Sequence, residues 1–179
     1  DEETRVEVLC GGRGVRLKPA TDYVPKALVH VNGRPILDYI IDSYSAKGLK
    51  RFVLCVGYKG ELIEKHFENP PEGLEISISD AGETAGMLRR IWETRALIER
   101  HALISYCDTF IDLDVEGTMR NHVRQRAGAT IVSARIRNPF GLVTLDSDNW
   151  VTSFVEKPVL NYYIGSFILN KSALSYVTP

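Results

Sequence analysis

The chain has 179 residues, with 22 Lys+Arg against 23 Asp+Glu and a formal net charge of -1. Hydrophobic residues make up 44% and charged residues 25%, the composition of an ordinary globular chain long enough to bury a core in one domain. The balanced charge argues against a nucleic-acid binder working through a basic surface, and no apolar run approaches the roughly 20 residues of a membrane-spanning helix. The start, Asp1-Glu2-Glu3-Thr4, is acidic, lacks an initiator Met and has neither the basic nor the apolar region of a signal peptide.

Strand and helix patterns alternate along the first two thirds. Residues 6–10 form a short apolar strand that runs into Gly11-Gly12-Arg13-Gly14. Residues 36–47 place Ile36, Leu37, Ile40, Ile41 and Tyr44 on one helical face, with Gly48 suited to the C-terminal cap. A buried strand follows at 51–56, then a short helix at 61–67 stopped by Asn69-Pro70-Pro71, and an alternating strand at 74–79. Leu88, Ile91, Arg95 and Ile98 recur at helical spacing and predict a helix over 84–99. A strand at 102–106 precedes a helix over 115–127, capped by Asp112 or Asp114 and ended by Gly128.

The rhythm then changes to four strand-like runs at 130–135, 142–145, 151–156 and 164–169. Asp146-Ser147-Asp148-Asn149 separates the middle two as a hairpin turn. This order predicts an α/β fold: a Rossmann-like, doubly wound, mostly parallel sheet with an antiparallel hairpin addition. The three cysteines, Cys10, Cys55 and Cys107, are odd in number and widely spaced, so neither a disulfide framework nor a Cys-x-x-Cys zinc site is expected. Reduced thiols fit a cytoplasmic chain.

In such a sheet, ligands bind beyond the C-terminal strand ends. Gly11, Gly12 and Gly14 follow the first strand, where free N–H groups can cradle phosphate oxygens, and Arg13, Arg16 and Lys26 add charge. No Gly-Lys-Ser/Thr ends the loop, and Leu17 stands where a dinucleotide fingerprint needs Gly or Ala. Taken alone, the loop also suits a tight strand-to-helix turn with solvated basic residues.

The run 11–21, GGRGVRLKPAT, followed by Pro25-Lys26-Ala27-Leu28 and the turn Asn32-Gly33, resembles the signature of sugar-1-phosphate nucleotidylyltransferases. Further matches come in order. Asp80-Ala81-Gly82-Glu83-Thr84 through Gly86 to Leu88-Arg89-Arg90 resembles a base-binding segment, closest to the glucose-1-phosphate cytidylyltransferase branch. Cys107-Asp108 resembles the metal-binding turn, and Phe140-Gly141 and Phe154-Val155-Glu156-Lys157-Pro158 resemble sugar-site motifs.

The resemblance implies the nucleotide-diphospho-sugar transferase (GT-A-like) fold and transfer of a nucleotidyl group from an NTP, with CTP preferred, to a sugar 1-phosphate. It implies catalytic roles for Arg16 and Lys26 and nucleotide binding by Leu9, Gly11, Gly12, Gly14, Gly82, Thr84 and Gly86. It also implies sugar binding by Gly141, Glu156, Lys157 and Tyr163, with Tyr162 beside it, and Mg2+ held by Asp108. The partners implied are the NTP and the sugar 1-phosphate, without nucleic acid or membrane, and a homo-oligomer is left open.

Some positions depart from the family pattern. Val15 replaces a Thr, Cys10 an Ala, Cys107 a Gly, and Glu83 stands where many members have Gly. Tyr163-Ile164-Gly165 lacks the usual Asn, and nothing after Ala173 supplies the second metal Asp of the family. A chain lacking its C-terminal segment, or a different way of holding metal, would account for the last point. Two other readings stay open: a cytidylyltransferase acting on a non-sugar phosphate or phosphonate, and a non-catalytic nucleotide- or sugar-binding homologue.

Overall fold

The computed structural model describes residues 4–177, so the acidic Asp1-Glu2-Glu3 start lies outside the described residues. β1 (Thr4–Leu9) leads through three short 3-10 turns to a two-stranded ribbon, β2 (His30–Val31) and β3 (Arg34–Pro35). There follow α1 (Ile36–Ser45), β4 (Arg51–Val56), α2 (Gly60–His66), β5 (Glu75–Asp80), α3 (Met87–Glu93), β6 (His101–Tyr106) and α4 (Val115–Arg124). The chain continues with β7 (Ala129–Arg137), β8 (Leu142–Leu145), β9 (Val151–Val155) and β10 (Val159–Asn170).

The main sheet runs β5-β4-β1-β6-β10-β7. β1, β4, β5 and β6 are parallel and β10 joins β6 antiparallel. β8 and β9 pair antiparallel through the expected turn at 146–149. The chain divides into two compact units, residues up to Thr130 together with those from Gly165 onward, and Ile131–Ile164.

In the first unit the parallel strands read as near-continuous apolar runs because both faces are covered. Ala102 and Ile104 pack with Ile91, Ile98 and Leu174 on one face. The alternate residues, among them Val6, Val8, Phe52, Leu54 and Leu103, therefore belong to the other. α1 covers that other face: its buried stripe is Leu37, Ile40, Ile41 and Tyr44, and the Tyr44 hydroxyl bonds Ser105 Oγ at 3.0 Å. Each such side chain contributes about 1.5–3 kcal/mol by leaving water.

Two helices are shorter than their patterns suggest. Gly82 at φ 88° and Gly86 in an extended conformation keep residues 80–86 as a loop, so α3 begins only at Met87. Thr94 then tightens the chain into a 3-10 turn, its hydroxyl lying within reach of both Ile91 O and the Glu7 carboxylate. α4 is capped by Asp114, which accepts from Gly117 N at 2.9 Å; it ends before Arg126 at φ 51° rather than at Gly128. Asp112, the other candidate cap, instead pairs with Lys47 at 2.9 Å.

Glu7 is fully buried in the middle of the central strand. Burial pushes its carboxyl up to about 7, against the opposing pull of the Thr94 hydroxyl and the Arg5 charge. The folded chain thus retains a proton that the unfolded chain has released above 4.5. The contribution of the neutral acid is complete below pH 4.5 and is lost as pH rises to about 7, roughly 3 kcal/mol in all. His122 acts in the opposite sense: burial and the nearby His101 ring lower its pKa below 6.5, so its contribution is lost as pH falls. Urea unfolding of the wild type should show stability declining between pH 5 and 7, and Glu7→Gln should remove that decline. An unchanged slope would show that Glu7 is not the titrating group.

Candidate active site

The parallel register brings the ends of β1 and β6 side by side, because Leu9 pairs with Tyr106. The loop after β1 and the turn carrying Asp108 thus leave the same edge of the sheet. Leu9 packs its side chain against the Ile91 cluster, and its backbone lies between Cys55 of β4 and Tyr106 of β6. Gly11 lies against the Arg90 guanidinium, where an added Cβ would fall 2.2 Å from Cζ. Gly12 has open space around it. Gly14 adopts φ 57°, and a Cβ there would sit 3.0 Å from both Lys26 Cβ and Thr21 Cγ2. That conformation and that closeness both favour glycine, and Thr21 Oγ1 holds the turn by donating to Gly14 O at 2.9 Å.

Lys26 follows Pro25 in a 3-10 turn and forms a tight ion pair with Asp108, at side-chain exposures of 22% and 32%. The sequence placed these residues 82 apart in separate roles; the fold sets ammonium against carboxylate. Arg16 lies in the 3-10 turn Val15–Leu17, is exposed, and has no polar partner among the described residues. Gly82, Thr84 and Gly86 lie on the loop between β5 and α3, all exposed, and Gly82 N donates to Asp80 Oδ1 at 2.8 Å.

Arg90 is the residue whose structural part the sequence leaves unseen. It is only 6% exposed. Its guanidinium donates to Val56 O at the end of β4, to Gly82 O at 2.8 Å, and more weakly to Gly11 O at 3.5 Å and Glu83 O at 3.4 Å. One buried cation thereby ties three loops of the sheet edge. The available signal was its position: Arg90, Ile91, Thr94 and Ile98 form the buried stripe, with an arginine where an apolar side chain would be expected.

The second unit carries the remaining candidates. A Cβ on Gly141 would lie 2.7 Å from the Phe154 ring and 3.7 Å from Glu156 Oε2, so Gly141, Phe154 and Glu156 form one cluster. Lys157, at φ 44°, has its ammonium 3.7 Å from Glu156 Oε1. Tyr162 and Tyr163 are partly exposed on β10.

Neither Cys10 nor Cys55 offers a nucleophile. Burial pushes the Cys10 thiol well up, with Cys107 as hydrogen-bond neighbour, and burial beside Glu7 does the same to Cys55. For a metal, Asp108 supplies one hard carboxylate, and no group of three or more His, Cys, Asp or Glu ligands exists among the described residues. Such a donor set suits Mg2+, which takes one or two carboxylates and completes its shell with phosphates and water, and does not suit zinc.

Known proteins resemble this chain along nearly its whole length. A family model described as nucleotidyl transferase matches residues 7–178. Glucose-1-phosphate cytidylyltransferase of Salmonella typhi is 30% identical over 200 residues, covering 95% of this chain and 76% of that protein. D-glycero-alpha-D-manno-heptose 1-phosphate guanylyltransferase of Campylobacter jejuni is 31% identical over 150 residues, covering 84% of this chain and 67% of that one. In fold, the crystal structure of HddC from Yersinia pseudotuberculosis complexed with GMP-PN superposes with a TM-score of 0.76 at 24% identity, covering 98% of this chain and 80% of the other. With a Gly-rich loop, a lysine and a carboxylate converging on one sheet edge, and with matches along nearly its whole length, the chain belongs to the nucleotidyl transferase family.

Proposed function

We propose that this protein transfers a nucleotidyl group from an NTP to a sugar 1-phosphate, releasing pyrophosphate, with CTP as the leading nucleotide. The observation that carries the reading is the meeting of Lys26 and Asp108 beside the Gly11–Gly14 loop. CTP is favoured by the resemblance of the segment from Asp80 to Arg90 and by the cytidylyltransferase relative. The guanylyltransferase relative makes GTP the competitor to test. The three buried thiols, reduced and unpaired in disulfides, support a cytoplasmic setting.

The reaction is an in-line displacement. An oxygen of the sugar phosphate attacks the α-phosphorus, the bond to the bridging oxygen of the β-phosphate breaks, and pyrophosphate leaves with that electron pair. The nucleophile is already anionic, so no general base is needed; the difficulty is to hold two mutually repelling anions in line. The N–H groups of residues 11–14 would receive phosphate oxygens. Lys26 would exchange Asp108 for the α-phosphate and the sugar phosphate, and Arg16 would face the leaving β,γ-phosphates. Their attraction grows as charge moves onto the leaving group, which raises kcat rather than binding alone. Asp108 would hold Mg2+, which supplies charge neutralisation on the phosphates when bound. Glu156 would accept hydrogen bonds from sugar hydroxyls and Lys157 would contact the sugar phosphate, with Gly141 admitting the ring.

The test is pyrophosphate release with each of CTP, GTP, UTP and dTTP in Mg2+, against a panel of sugar 1-phosphates, phosphocholine and phosphonates. Turnover with a sugar 1-phosphate is the expected result. Turnover confined to phosphocholine or a phosphonate would move the acceptor. NTP binding with no turnover on any acceptor would make the protein a non-catalytic homologue.

A further inference from the structure

Above the end of β4, two loops meet through their side chains. Arg13 Nη2 lies 2.7 Å from Glu83 Oε2, joining the Gly-rich loop after β1 to the loop after β5. The sheet order places β4 between those two strands, so the ion pair arches over Gly57 and Tyr58. The Arg13 guanidinium also stands 5.7 Å from the centre of the Tyr58 ring. Beneath the arch, buried Arg90 fixes the same three loops through their carbonyls. The lower tie is buried. The upper one is exposed, 65% at Arg13 and 46% at Glu83, and an exposed pair of this kind holds only weakly.

Each partner's side chain is exposed, so it can change partner without its loop moving. Arg13 follows Gly12 and Glu83 follows Gly82, and a Cβ added at either glycine would meet open space. We propose that Arg13 is a further triphosphate-binding residue and that Glu83 is its internal competitor, a latch that the polyphosphate of the nucleotide opens. The proposal rests on the nucleotide-binding reading above. A guanidinium pairs with phosphate through the same planar fork it offers a carboxylate, and a polyphosphate carries more charge than one Glu. Arg13 then passes from Glu83 to the nucleotide. Any ligand that uses Arg13 must first displace Glu83, so the latch lowers affinity for nucleotides carrying phosphates and leaves nucleosides unaffected.

The test is calorimetric titration of wild type, Glu83→Gln, Arg13→Gln and the double variant with CTP and GTP, and with cytidine and guanosine as phosphate-free controls. Glu83→Gln should bind the preferred NTP about two- to fivefold tighter. Arg13→Gln should bind it about tenfold more weakly. In the double variant the gain from Glu83→Gln should shrink, because Arg13 is no longer there to be released. Nucleoside affinity should stay level throughout, which a merely structural pair would not ensure. The latch is overturned if Glu83→Gln fails to tighten the NTP, or if it shifts the nucleoside equally. A wild-type chain that binds neither CTP nor GTP would overturn the nucleotide reading itself and the latch with it.

Discussion

Lys26→Ala should lower pyrophosphate release by about 10²- to 10³-fold in kcat, the loss expected when one preorganised charge is removed from a phosphoryl-transfer site. Asp108→Asn should do at least as much, and should raise the Mg2+ concentration needed for half-maximal rate, because the amide is a poorer ligand than the carboxylate. Neither change should unfold the protein. The two side chains are partly exposed and pair with each other rather than with the core, so the melting temperature should move by only a few degrees. The reciprocal exchange, Lys26→Asp with Asp108→Lys, separates the two possible roles. It rebuilds an ion pair between the same positions but turns the charges away from the phosphates and the metal. A structural pair would survive the exchange with its activity; a catalytic pair would stay folded and inactive. Full activity in either single variant would sink the proposed mechanism.

The parts of this site that could be read in advance were those in which local chemistry leaves one choice. Gly14 is legible because its φ of 57° and its contact with Lys26 leave no room for a side chain. The strands were legible because their apolar runs must be covered on both faces, and α1 because Leu37, Ile40, Ile41 and Tyr44 keep one period. Contacts between distant segments had no such signature. Lys26 with Asp108 and Arg13 with Glu83 join residues 82 and 70 positions apart, and only the strand register decides that they meet. The helical pattern from 84 to 99 overreached for a related reason. Periodicity registers which residues are buried, and Ile91 and Ile98 are buried, but it does not register that the Thr94 hydroxyl turns toward Glu7 and tightens the chain between them.

Arg90 shows most sharply how one buried side chain can organise a site without touching its chemistry. Arg90→Ala would leave the carbonyls of Val56 and Gly82 without their donor at the sheet edge and open a cavity beside Gly11. A hydrogen bond to a charged donor contributes about 1.5–3 kcal/mol, and stranded buried carbonyls add to the loss, so a destabilisation of roughly 3 kcal/mol follows. For a chain of this size that corresponds to a fall of about 6–12 °C in melting temperature. Arg90→Lys should recover only part of it, because a single ammonium cannot reproduce the planar fork that spans Val56, Gly82 and Gly11. The same variants should weaken NTP binding more than tenfold even at temperatures where they remain folded, since the loops carrying Gly11 and Gly82 lose their common anchor. The Gly11→Ala variant tests this anchor from the other side. Its methyl would occupy the space of the guanidinium, 2.2 Å from Cζ, and should reproduce both the lower melting temperature and the weaker nucleotide binding with Arg90 still present. If Arg90→Ala melted normally and bound nucleotide as wild type does, the loops would be held by their own backbone bonds, such as Cys10 N to Cys55 O at 2.9 Å and Tyr58 N to Gly11 O at 3.3 Å, and the guanidinium would be filling space rather than fixing it.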